Sequence, residues 1–580
     1  MTGHGHLEDK RSLWKPYLEV LPVCEAERRT SSSYHHNIST TTMRTARPLY
    51  LLSLGLGLGN LLDLAWTGVS LMGETGEPSR ATSTTDHGLP VDLSGCPSTH
   101  FLWSTHQERI LSVSRLPHQE VGQLWSIVAP RLPNAIQSLP RDWTAVDRVM
   151  KKAKERYAGF QQQNSTAPPL KILVMGGSVT LGVNCRLKGI RSNQCSWPYR
   201  LESILNGWLG APIVEVHVVA AGGTTSATGV QILQDSLLPE AARNPDIVIN
   251  AYSTNDMHLK GGQLFEATQE FARRVLRSDC GDPPLLLWLD DYIGNEQREI
   301  LATTQLSQVL DTLSGYYGFA SVSYPNMIRD LVYGDTQEYW FSPHGWYKHG
   351  SFQREIHPGV YAHLTMAWAV AYSLTNLAVH RCGIEGFASV EVASSTGVPR
   401  PTPRGLPPPL TEYLSLETIS EQWSSAASER SSCDDRCEFA WLSGIDRNQN
   451  DVAFIRDKFA PYTSDGWTLA EKHPKIGFVA TDNNPWILDF SSLSQGVTRV
   501  GIFYMKSYSH KWTNSTAGVR VQSGDTLVAE ATLQGSHDSQ TSETYSEILE
   551  WDKAVRDVQV HLQRTSGEMF KLMGLVVCRD

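Results

Sequence analysis

Four short segments carry the side chains and backbone groups that could do chemistry together. Gly176-Gly177-Ser178 offers a hydroxyl on flexible backbone, and Ala221-Gly222-Gly223-Thr224-Thr225-Ser226 offers N–H groups beside glycine. Ser253-Thr254-Asn255-Asp256 offers a side-chain amide, and Arg354-Glu355-Ile356-His357-Pro358-Gly359 offers an imidazole. A serine that attacks a carbonyl needs this set. An imidazole with a pKa near working pH takes its proton, and N–H donors hold the charge developing on the carbonyl oxygen. Ser178 is thus the expected nucleophile and His357 the expected base. Taken singly, each segment is ordinary turn chemistry. What gives them meaning is their order and the elements they follow.

Those elements are legible as hydrophobic runs. Residues 170–176 (LKILVMG) form a nearly continuous apolar stretch, as a strand buried on both faces requires. Similar runs occupy 214–220, 246–253, 284–291 and, more weakly, 320–324. Helical patterns lie between them at 197–209, 225–241, 263–277 and 296–316, and a last helix, apolar nearly all round, is expected at 361–379. Such alternation predicts an α/β fold, a five-stranded parallel sheet flanked by helices. Open parallel sheets bind ligands beyond the carboxyl ends of their strands, which is where the first three segments fall. His357 precedes the last helix.

In this order the blocks resemble the SGNH, or GDSL-type, hydrolase superfamily. Its opening Gly-Asp-Ser is matched by Gly176-Gly177-Ser178, its third-block Asn-Asp by Asn255-Asp256 and its closing His-Pro by His357-Pro358. The second-block glycine is matched by Gly223 through a Gly-x-Thr-Ser string, with Gly222 as the competing choice. The resemblance covers roughly 170–379. It implies a flavodoxin-like sheet, attack on esters by Ser178, and an oxyanion held by the Ser178 and Gly223 N–H groups and the Asn255 amide. Two departures stand out. Gly177 replaces the opening Asp, and Arg354 stands where the family has the acid of Asp-x-x-His. Arginine is always a donor and cannot orient the imidazole. Glu355 is the expected substitute, with Asp290 or Asp291 at the fourth strand's end as alternatives.

The rest of the chain sets the context. With 50 Lys and Arg against 60 Asp and Glu, the net charge of −10 lacks the basic footprint of a nucleic-acid binder. No nucleic-acid partner, cofactor or metal is expected. Cys433 and Cys437 lack a second ligand pair at finger spacing, and Gly55, Gly57 and Gly59 lack the frame of a nucleotide loop. Residues 1–95 are rich in Ser, Thr, His and charge, apart from the apolar run 49–72. Read from Met43, that run follows Arg44 and Arg47 as a secretory signal does. Read from Met1 it is a signal-anchor, although Asp63 and three glycines suit a membrane span poorly. Either way the expected location is secreted or membrane-anchored in the secretory pathway. Sequons at Asn164 and Asn514 agree, as does an even set of eight cysteines beyond Cys24, with Cys185 and Cys195 the expected pair.

The hydrolase-like domain is placed at 96–385, a Pro-rich linker at 386–430 and a further module at 431–580. The linker is expected to be extended and exposed. Eight short strand-like runs from 467 to 578 predict an antiparallel β-sandwich. Sandwiches of extracellular enzymes often bind glycans, so an acylated carbohydrate is the expected ester substrate, by analogy. Trp486, Tyr508 and Trp512 would stack on sugars if exposed and are core if not. The expected function is a serine esterase. The alternatives are an O-acyltransferase on the same fold and a catalytically inactive glycan-binding protein.

Overall fold

A computed structural model of the 580-residue chain describes residues 98–162, 167–187, 192–235, 237–259, 262–277, 282–291, 299–333, 340–341, 357–391, 406–410, 437–445, 451–463, 466–470, 475–480, 482–537 and 542–579. All of them lie in the compact unit Asp86–Asp580. The apolar run 49–72, Asn164, Arg354 and Glu355 fall outside the described residues. Among the described residues no helix is long and apolar enough to cross a membrane.

The first layer is the expected parallel sheet. In chain order its strands are β1 (Ile136–Ser138), β2 (Leu170–Gly176), β3 (Val214–Ala220), β4 (Ile247–Ala251), β5 (Leu285–Asp290) and β6 (Ala320–Ser323). Across the sheet they run β1-β6-β5-β4-β2-β3. The five strands β2 to β6 pair in parallel, and β1 adds an antiparallel sixth strand at the β6 edge that the sequence pattern did not announce. With β2 central, the order reverses between β2 and β4. This is the switch point where open α/β sheets bind ligands.

Strand residues alternate between two cores, as a pleat requires. Ile172 and Val174 join one cluster with Trp197 and Leu201 of a helix, Trp197–Leu209, and with Trp368 of the long helix Val360–Glu391. Leu173 and Met175 face the other way, against Val230 and Ile232 of the helix Ser226–Gln234 and Phe271 of the helix Gln263–Leu276.

This second cluster does not end at the α/β domain. It also takes in Leu442, Phe503, Met505, Met573 and Val576 of the C-terminal region. There the strands β7 (Cys437–Leu442), β8 (Thr468–Ala470), β9 (Gly477–Ala480), β10 (Trp486–Asp489), β11 (Val497–Lys506), β12 (Thr516–Ser523), β13 (Thr526–Gln534), β14 (Glu543–Val555), β15 (Val558–Ser566) and β16 (Phe570–Cys578) build two antiparallel sheets. One runs β10-β15-β12-β13; the other runs β14-β11-β16-β9-β8, with β7 also on β16. A third apolar cluster fills the space between them. Cys437 and Cys578 form a disulfide between β7 and β16, and Cys185 pairs with Cys195 as expected.

The Pro-rich stretch departs from expectation where it is described. At 406–410 it is extended but docked. Arg273 donates to the Pro407 carbonyl, Tyr316 Oη donates to that of Pro408 at 3.0 Å, and the Leu410 N–H donates to Gln269 Oε1 at 2.7 Å. Prolines cannot donate, so their free carbonyls draw donors from the neighbouring helices.

One buried ion pair joins the layers. Arg499 on β11 reaches both carboxylate oxygens of Asp235, at the C-terminal end of the helix Ser226–Gln234, and also Gln231. Burial pushes the Asp235 carboxyl up to about 6, against the pull of Arg499. Arg499 also meets Glu550 at 3.0 Å, so removing Asp235 leaves the buried guanidinium with only a solvent-exposed carboxylate partner. Asp235→Ala is expected to destabilise the chain by roughly 3–5 kcal/mol, measured by urea unfolding. A change under 1 kcal/mol would show the pair to be dispensable.

Candidate active site

The three turns converge at the carboxyl end of the parallel sheet. After β2 the backbone turns at Gly177 into a single helical turn, Ser178–Leu181, which places the Ser178 side chain at the rim. After β3 the turn is tied back to β2: the Ala221 N–H donates to the Gly176 carbonyl at 3.2 Å, and Thr224 Oγ1 reaches the same carbonyl at 3.3 Å. After β4 comes another short turn, Ser253–Asp256.

His357 Nε2 lies 2.7 Å from Ser178 Oγ, across 179 residues of chain. Ser178 is 8% exposed, sheltered yet open to the rim. The His357 segment is held by Asn184, whose Nδ2 donates to the His357 carbonyl at 3.0 Å. Asn255 Nδ2 donates to the Thr224 carbonyl at 2.6 Å, which fixes the plane of its amide beside the serine turn. A side chain at Gly177 would run into that amide, for a Cβ there would lie 2.1 Å from Asn255 Nδ2. The replacement of the family's Asp by Gly177 thus has a steric counterpart in this chain.

The two glycines of the second turn divide the labour. A Cβ on Gly222 would sit 3.8 Å from Ser178 Cβ. Gly223 adopts φ +78°, a left-handed conformation that side chains disfavour, and its Cα packs against Ser542 and Glu543. The structure therefore brings together Ser178, His357, Asn255 and the glycine turn. Glu355 lies outside the described residues.

Two buried carboxyls brace the rim. Asp256 accepts from the Ser226 N–H at 2.7 Å and from Ser226 Oγ at 2.5 Å, locking the third turn to the second. Asp291 accepts from the Thr254 N–H at 3.0 Å and Thr254 Oγ1 at 2.8 Å. Its carboxyl turns back to the third turn, so it stands as a brace rather than as the partner of His357. Asp290 accepts from Ser307 and Ser323, each at 3.4 Å. Burial raises Asp256 and Asp291 to about 7 each, the hydrogen bonds from serine and threonine pulling the other way. The sequence alone did not single out Asn184, Thr224 or Ser226. Ser226 had a signal in the Gly-x-Thr-Ser string, whereas Asn184 had none.

Among the described residues, Asp235, Cys437 and Cys578 form a group of potential metal ligands, but the two cysteines are joined as a disulfide and offer no thiolate.

No protein-family model matches the chain, and no curated protein matches it. Solved structures do. A two-domain esterase active on acetylated mannans, co-crystallized with mannopentaose, aligns over 77% of this chain and 98% of its own, at 16% identity and a TM-score of 0.43. A family two carbohydrate esterase from Cellvibrio japonicus aligns over 36% of this chain and 63% of its own, at 19% identity and a TM-score of 0.25. A lipolytic protein of the G-D-S-L family from Veillonella parvula aligns over 35% of this chain and 96% of its own, at 10% identity and a TM-score of 0.25. These likenesses are distant.

The raised carboxyls make stability depend on pH with a definite sign. The Asp291 carboxyl titrates from an ordinary 3.8 in the unfolded chain and from about 7 in the folded one. The folded chain therefore holds that proton more tightly, and the contribution is full below about 3.8 and lost as pH rises through about 7. Asp291→Asn is expected to flatten the fall in stability across this window, read by thermal unfolding at several pH values. An unchanged slope would mean that the carboxyl is ionised in the folded chain.

Proposed function

We propose that the chain is a serine ester hydrolase. The observation that carries the reading is the 2.7 Å contact between Ser178 Oγ and His357 Nε2 at the switch point of the parallel sheet. In this mechanism His357 takes the Ser178 proton as Oγ attacks the ester carbonyl. The charge on the carbonyl oxygen is held by the N–H groups of Ser178 and Gly223 and by the second N–H of the Asn255 amide, the first being spent on Thr224. His357 then protonates the departing alcohol. Water, deprotonated by His357, releases the acid from the Ser178 ester and restores the serine.

The finer reading is an O-acylated carbohydrate as substrate, handled in the secretory pathway. The disulfides Cys185–Cys195 and Cys437–Cys578 and the exposed sequon residue Asn514 support that compartment. Of the three aromatics considered for sugar stacking, Trp486 and Trp512 are buried, whereas Tyr508 is 45% exposed. Tyr508 follows Ser507, whose hydroxyl bonds that of Ser542 at 2.6 Å beside Gly223. An exposed ring one residue along the chain from Ser507 supports a platform for a sugar flanking the scissile ester.

A fluorophosphonate probe is expected to label the native chain and not Ser178→Ala, which should also lose hydrolysis of a small soluble ester without change in thermal unfolding. Turnover retained by Ser178→Ala, or no labelling of the native chain, sinks the proposal. Asn255→Ala is expected to lower kcat by about 10²–10³, the cost of one oxyanion donor. Tyr508→Ala is expected to raise KM several-fold on an acetylated oligosaccharide while leaving a small ester unaffected. Equal effects on both substrates would place the ring outside a sugar site.

A further inference from the structure

β14 lies at the edge of its sheet. An edge strand leaves a row of backbone groups without strand partners. At Thr544 these groups turn toward the α/β domain. The Thr544 N–H donates to the Gly223 carbonyl at 2.7 Å, and the Thr544 carbonyl accepts from Thr228 Oγ1 at 3.4 Å.

The contact is close as well as directional. A Cβ on Gly223 would lie 2.5 Å from the Ser542 carbonyl oxygen and 2.7 Å from Glu543 Cα. The 542–544 segment is itself secured. Lys475 Nζ donates to the Ser542 carbonyl at 2.6 Å, and the Ser542 hydroxyl bonds that of Ser507. On the neighbouring strand β11, Arg499 grips Asp235 and Gln231 of the helix that follows the glycine turn.

We infer that the sandwich edge is a positioning element of the active site, with the backbone N–H of Thr544 holding Gly223 in the orientation that aims its own N–H at the oxyanion. The inference rests on the hydrolase reading for the role of Gly223. Its physical basis is a count of freedoms. The bond from Thr544 fixes the peptide plane after Gly223, and the contact with Ser542 fixes its Cα. What remains is the φ rotation, which the Ala221 and Thr224 bonds to the Gly176 carbonyl restrict from the other side of the turn. Preorganised donors stabilise a transition state because they need not reorganise when charge appears. A turn held on one side only would have to be ordered during the reaction.

The test uses the full chain and one backbone atom. Proline is tolerated on an edge strand where the N–H points away from the ladder, so Thr544→Pro deletes this one donor. The expected result is a fall in kcat of about 10-fold or more, short of the 10²–10³ for a whole oxyanion donor, with KM changed less than about twofold. Thr544→Ala keeps the N–H and is expected to recover most of the lost kcat. Amide hydrogen exchange over 221–226 should quicken in Thr544→Pro and stay native in Thr544→Ala. If Thr544→Pro fails to fold by circular dichroism, Lys475→Met, which frees the Ser542 carbonyl, should show the same pairing of lower kcat and faster exchange. Native kcat and native exchange in a folded variant would overturn the inference. If the native chain hydrolyses no ester, the hydrolase reading fails. The exchange measurement then still decides whether the edge holds the turn.

Discussion

The carboxyl of Asp256 lies where water cannot reach it, and the backbone and side chain of Ser226 supply its hydrogen bonds. Losing it would leave the first N–H of a helix buried without an acceptor, a cost that folded proteins rarely carry. Through this tie the turn after β4 and the turn after β3 are set against each other, and the rest follows from their closeness. Asn250 adds its amide to the Ser226 hydroxyl, and Asn255, beside Asp256 in the chain, is delivered to the Thr224 carbonyl. The serine turn then has glycine backbone on one flank and an amide on the other, with His357 closing over it.

Much of this was legible in the residues. Leu170–Gly176, Val214–Ala220 and Trp197–Leu209 fall where the hydrophobic runs placed them, because strands buried on both faces and an apolar helix stripe leave little else for such sequences to do. The pairing of Ser178 with His357 was likewise readable, since each follows or precedes an element whose end must lie at the rim. β14 was not. Tyr545, Leu549, Trp551 and Val555 pack against the third cluster, but Glu543, Glu547 and Lys553 share their parity and break the alternation that would announce a strand. β1, three residues long, is too short to show any period.

The site's supports were illegible for a different reason. Thr544 acts through a backbone N–H, which every residue but proline carries, so its side chain leaves no trace of the role. Asp291 was readable as an acid at a strand end. Whether its carboxyl faced the histidine or folded back to Thr254 depended on a few ångströms of loop that sequence pattern does not encode. A pattern conveys where polar groups gather and not which of them face one another.

The apolar cluster shared between the parallel sheet and the sandwich has a consequence for how such a chain can diversify. Modular enzymes commonly change targets by trading an accessory domain while the catalytic one stays as it was. Here a trade would remove Phe503, Met505, Met573 and Val576 from a cluster that also contains Val230 and Phe271 of the α/β layer. It would leave Asp235 buried without its arginine. Exchanging the sandwich as a block would therefore cost the parallel sheet part of its own packing, whereas changes confined to loops on the sandwich would leave that packing intact.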